Sequence, residues 1–174
     1  MAQDLSPPPS VLGASRWAAP IAAVIGVIIA GVVVIGYGKP HPHAFDLALL
    51  LRQPPVILGH LGAALLAVGL GAVQFLAPKG TLPHRALGWI WVILMMTVAG
   101  SSIFIRVINH GGFSLIHGLS AYVLLVTPLG VLAARRHNVT AHSRTMTGLF
   151  TLGLIVAGAF TFVPGRLMWS LFLG

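Results

Sequence analysis

Five apolar runs of about 20 residues constrain this chain more than anything else, because that is the length at which an α-helix crosses a hydrocarbon core about 30 Å thick. They cover 18–37, 55–77, 84–106, 113–134 and 144–163. Clusters of Pro, Gly, His and basic residues separate them, as expected where backbone leaves a bilayer. The fold class that follows is an all-α integral membrane protein with five transmembrane helices. Short connections make sequential helices antiparallel neighbours, and the last four spans, over 55–163, are expected to form a bundle. A chain of 174 residues with 57% hydrophobic and 7% charged residues is not a soluble domain.

The flanking segments are expected to stay out of the bilayer core. Residues 1–17, beginning "MAQDLSPPPS", are polar and proline-rich and are read as a disordered tail. The 18–37 run is longer than a signal-peptide core and lacks a small-residue cleavage site before "YGKPHPH", so it is read as a retained span. Within the 38–54 loop, "HAFDLALLLRQ" is too short to span and is expected to lie as a helix along the interface. The 164–174 tail, with Arg166 and Trp169, has the character of an interfacial anchor, and Trp89 and Trp91 are expected in an aromatic belt.

Basic residues give the orientation. Arg16, Lys79, Arg85, Arg135, Arg136 and Arg144 fall on one side of this topology, and Lys39, Arg52, Arg106 and Arg166 on the other. The excess places the N-terminus in the cytoplasm of a bacterial inner membrane. Basic loops facing anionic lipid account for the net charge of +8 without a nucleic-acid partner.

The histidines repeat. His60 begins one span and His84 the next, 24 residues on; His117 and His142 do the same at a spacing of 25. An Arg follows each second His (Arg85, Arg144), and a Gly stands further on at 88 and 148. The two helix pairs read as an internal repeat. In an antiparallel bundle His60 and His117 then share a depth near the outer surface, and His84 and His142 share one at the cytoplasmic surface. Two imidazoles across a four-helix bundle can take the two axial positions of a b-type haem. Gly59, Gly62, Ala63, Gly118 and Ser120 would leave room for the macrocycle, and Arg85 and Arg144 would pair with its propionates. His60 and His117 are the stronger ligand pair, because His84 and His142 stand at the water boundary, where an imidazole can bond to solvent or lipid phosphate. Pro128, inside the fourth span, is expected to kink it and open a space beside Tyr122 and Thr127 that would suit a quinone.

Other chemistry is excluded by what is missing. Cysteine is absent, which removes disulfides, thiolate metal sites and covalent c-type haem. The only acids are Asp4 and Asp46, so no carboxylate lies within a span. That argues against proton-coupled carriers, metalloproteases that need a Glu base, and carboxylate-bridged di-iron sites. Ser114 and Ser120 flank His117 without the Gly-x-Ser-x-Gly setting of a hydrolase. His41, His43, His110 and His137 fall in connections and are read as solvated, although "HPH" with Asp46 is a possible copper or zinc donor set.

"GHLGAALLAVGLGAVQFL", "PHRALGW" and "AHSRTM" resemble the bacterial membrane proteins of domain of unknown function 2306, which carry His-x-x-x-Gly, His-Arg-x-Leu-Gly and His-Arg-x-Met motifs. The resemblance covers about 55–165 and leaves the first span as an addition; here Ser143 separates His142 from Arg144. The family name implies no activity. The four-His layout is also similar to two-haem transmembrane ferrireductases, and more faintly to assembly proteins of haem–copper oxidases. Two functions follow as expectations: a haem b electron-transfer protein working in or beside a respiratory or photosynthetic chain, or a cofactor-free accessory subunit or assembly factor packed against a larger membrane complex.

Overall fold

A computed structural model describes residues 41–105 and 115–174. The expected first span, the tail before it, Lys39, Arg106 and His110 lie outside the described residues. Within them the chain is helical, and four helices are long and apolar enough to cross a membrane. They are α2 (Pro55–Leu76), α3 (Leu82–Ser102), α4 (Leu115–Arg135) and α5 (Val139–Phe162), with short helices α1 (Leu47–Leu51) and α6 (Leu167–Phe172) at the ends.

Local sequence explains where these helices start and turn. Pro55 opens α2, where the missing N–H costs nothing. Gly80, at φ +76, makes the turn before α3, and Thr81 caps it by accepting from the His84 N–H. The α4–α5 corner is tighter. Asn138 N–H donates to Ala133 O at 2.9 Å and His137 N–H to Ala134 O at 3.0 Å, with His137 at φ +57. This is the paired closure of a helix C-terminus. The same Asn138 then caps α5, its Oδ1 accepting from Ala141 N–H. These corners begin α3 and α5 earlier than the apolar runs suggest, so His84 and His142 both sit inside the first helical turns.

The four spans pack in sequence, and α5 returns against α2 to close an up-down-up-down bundle. Lys79 and Arg136 mark one end of it and Pro54 the other. The core is small: Ala63, Ala67, Trp91, Met95, Val98, Ala99, Val123, Leu149 and Leu154. Most apolar side chains face outward instead, Leu76 being 88% exposed, as a lipid-facing surface requires. This is a multi-pass membrane protein.

Three local findings differ from the sequence expectation. Trp91 is a core residue, not part of a belt with Trp89. Two positions on a helix differ by about 200°, so when Trp89 faces out, under the Arg135 guanidinium at 5.6 Å, Trp91 faces in. Tyr122 and Thr127 likewise point apart, being about 140° from each other around the helix. Thr127 is fully buried, with its hydroxyl on Val123 O, and Tyr122 is exposed, so the two do not line one space beside Pro128. Third, α5 is π-helical over Leu149–Val156. The wider turn brings residues five apart onto one face, which buries Leu149 and Leu154 together.

At the Pro54 end, an extended segment leads into α1. His41 and His43 N–H groups donate to Leu173 O and Phe172 O, and Asp46 N–H to Leu171 O, tying this segment to α6. Asp46 is occupied as the cap of α1, its Oδ1 accepting from Leu49 N–H at 2.8 Å.

Candidate functional site

The polar residues of the bundle interior form two layers with an apolar plug between them. The first layer lies near the Pro54 end. Ser101 Oγ sits 2.6 Å from Thr97 O and 3.1 Å from Val98 O. Carbonyls only accept, so the single hydroxyl proton is directed to them. The Ser101 oxygen therefore receives a hydrogen bond from His60 Nδ1–H, at 2.9 Å. The adjacent Ser102 joins Ser120 of α4, whose hydroxyl donates to Ile116 O. His117, one turn before Ser120, is buried at 8% exposure. The serine pair of α3 thus ties the His60 helix and the His117 helix together at one level.

The plug is Trp91, Met95, Val123, Leu149 and Leu154, all buried, with the Trp91 indole N–H donating to Ala67 O at 3.0 Å. A Cβ on Gly71 would lie 2.5 Å from the Phe150 ring, so glycine is what lets α5 come this close to α2.

The second layer lies toward the Lys79 end. His142 Nδ1–H donates to Gly130 O at 3.0 Å, across the α4–α5 interface. His84 lies within electrostatic reach of His142 and of Lys79. Gln74, near the end of α2, donates from Nε2 to the His84 backbone oxygen at 3.0 Å. Gln74 Oε1 and His84 Nδ1 are both buried and make no hydrogen bond. Arg85 and Arg144 are exposed at this end.

Each sequence-predicted residue can now be placed. His84 and His142 lie within electrostatic reach of each other, and the His60 and His117 helices are joined through Ser101, Ser102 and Ser120. Ala63 and Ser120 are buried, whereas Gly59, Gly62 and Gly118 are exposed, and nothing lies within 4 Å of a Cβ built on any of them. The room beside these glycines is therefore on the outer surface of the bundle. Among the described residues no group of three or more His, Cys, Asp or Glu could hold a metal ion, so any metal here would rest on imidazole pairs. Sequence reasoning missed Ser101, Ser102 and Gln74. The signal for Gln74 was present: it is the one amide in the apolar run of α2, and a polar group inside a span is a functional candidate by default.

The family described as "Predicted membrane protein (DUF2306)" matches residues 57–172, which takes in every helix of the bundle and α6. The chain belongs to this family. Both histidine layers fall inside the matched region, as do the glycine contact at Gly71 and the π-helical segment. No curated protein and no solved structure matches the chain.

Proposed function

We propose that this family member is an inner-membrane electron-transfer protein that binds b-type haem at its histidine layers, acting in or beside a respiratory or photosynthetic chain. One observation carries the reading. In each layer an imidazole is fixed through Nδ1 to a protein acceptor: His60 to Ser101 Oγ, and His142 to Gly130 O. An imidazole whose Nδ1 is the donor presents the lone pair of Nε2, and this is the tautomer and orienting contact that histidine ligands of metals use.

Imidazole pairs are the donor chemistry that such a group takes. His60 with His117 would hold one haem and His84 with His142 a second, on helices that alternate around the bundle. Arg85 and Arg144, exposed beside the second layer, are the cations for its propionates. Bound haem would supply a one-electron couple, exchanging electrons with a quinone or another redox protein. The chain's own contribution is to orient four imidazoles and to keep water out of the plug between them. The basic residues gathered at the Lys79 end favour the cytoplasmic side for that end; with the 18–37 run as a further span, the N-terminus would be cytoplasmic too.

A second reading has its own observation. An open apolar groove of about 390 Å³ lies between α2 and α3, lined by Leu66, Gly69, Leu70, Leu87 and Ile90 among others. Such a face suits a neighbouring helix, as in an accessory subunit or assembly factor.

The test is the absorption spectrum of protein purified in mild detergent from cells supplied with haem, oxidised and then reduced with dithionite. A Soret band with sharp reduced α-bands, diminished in His60→Ala and His117→Ala, is the expected result. A colourless, folded wild type would sink the haem reading and leave the accessory role.

A further inference from the structure

Gln74 and His84 hold the two orphaned polar atoms described above, and they are already joined. Gln74 Nε2 donates to the His84 backbone oxygen, and a carbonyl can only accept, so this bond fixes which end of the amide is nitrogen. Gln74 Oε1, on the same amide, is buried and without a donor, and His84 Nδ1 is buried and without a partner. One is an acceptor in need of a proton; the other is a ring nitrogen that carries one in one of its two tautomers. Leaving two buried polar atoms unpaired is costly.

The amide also has a place made for it. Gly88 stands one turn after His84, and a Cβ there would come 3.2 Å from Gln74 Nε2, so any larger residue would press on the amide. Nearby donors are largely committed elsewhere: His142 Nδ1–H goes to Gly130 O, and two of the three Lys79 Nζ–H groups go to Phe75 O and Ala77 O.

We infer that Gln74 is the positioning residue of the second histidine layer: its Oε1 accepts from His84 Nδ1–H, fixing the tautomer that presents Nε2 to an axial ligand position. The layers then follow one rule, because His60, His142 and His84 each spend Nδ1–H on a protein acceptor, a serine hydroxyl, a backbone carbonyl and a side-chain amide in turn. This deepens the proposed function and rests on it for the identity of the metal group, but the tautomer is a property of the protein alone.

The experiment has two readouts. In cofactor-free protein labelled with ¹⁵N-histidine, the His84 ring nitrogens, assigned by their loss in His84→Asn, are expected to show Nδ1 protonated and Nε2 bare. Gln74→Leu, which removes the acceptor, is expected to shift His84 toward the Nε2–H form, while Gln74→Glu retains an acceptor and the Nδ1–H form. In haem-supplied protein, Gln74→Leu is expected to weaken retention of the second haem by about 10–100-fold, with Gln53→Leu, at the opposite end of the bundle, unchanged. A His84 that is Nε2–H in wild type, or whose tautomer ignores Gln74→Leu, would overturn the role of Gln74 even if haem is bound. A wild type that binds no haem but shows the Gln74-dependent tautomer would overturn the haem reading and leave the positioning contact standing. Should Gln74→Leu fail to fold, the Gln74→Glu spectrum decides, since loss of the Nδ1–H form there contradicts an acceptor role.

Discussion

The indole N–H of Trp91 reaches the carbonyl oxygen of Ala67 at 3.0 Å, inside the core and across the α2–α3 interface. Ala67 is fully buried and Trp91 is 5% exposed, so the bond is made where water cannot compete. Trp91→Phe should keep most of the packing and lose the bond, at a cost of about 0.5–1.5 kcal/mol. Thermal unfolding in detergent measures this; an unchanged midpoint would mean that the indole contributes by volume alone.

The glycines of α2 divide by the face they occupy. Gly71→Ala sets a methyl 2.5 Å from two Phe150 ring carbons and 2.9 Å from Trp91 Nε1, and overpacking of this kind costs roughly 1–3 kcal/mol. Gly69→Ala meets nothing within 4 Å and gains helix propensity, so it should be neutral or slightly stabilising. Equal melting shifts for the two variants would contradict the close α2–α5 approach.

His137 adopts a left-handed backbone, φ +57, to close α4. A side chain there costs about 1–2 kcal/mol that glycine avoids. His137→Gly should therefore raise the unfolding midpoint. A fall would show that the imidazole makes a contact worth more than the strain.

Ser101 is the acceptor that orients His60. Ser101→Ala removes it and leaves the imidazole only the Val98 backbone carbonyl, while the α3 carbonyls that Ser101 served keep their helical partners. His60 ring ¹⁵N shifts should move from Nδ1–H toward a mixture of tautomers, with little change in melting. A His60 signal identical to wild type would place its orienting contact elsewhere.

The absence of cysteine makes sidedness directly measurable. Lys79→Cys and Arg136→Cys should label alike with a membrane-impermeant maleimide, and Arg52→Cys oppositely. With the Lys79 end cytoplasmic, spheroplasts should label only the Arg52 variant. Labelling of the Lys79 and Arg136 variants instead would invert the orientation.

Much of the bundle was legible because apolar run length is set by bilayer thickness, not by packing partners. Pro55, Thr81 and Asn138 mark helix starts by chemistry that acts within a few residues. The Trp89 and Trp91 pair was misjudged because two indoles two positions apart look equivalent in composition, whereas helical rotation sends them to opposite faces. Ser101 and Gln74 escaped notice because their importance depends on which imidazole they meet, and the partners lie 41 residues away for His60 and 10 for His84.

The sequence by itself determined that this is a helical membrane protein and where its four described spans run. Both follow from hydropathy and periodicity, which act along the chain. Only the tertiary structure decided that α5 leans on α2 through Gly71 and a π-helical turn, that Trp91 and Met95 separate two polar layers, and that Nδ1 of His60 and of His142 is already spoken for. Those outcomes depend on distances between helices, fixed by side-chain volumes meeting across an interface, and no local pattern encodes them.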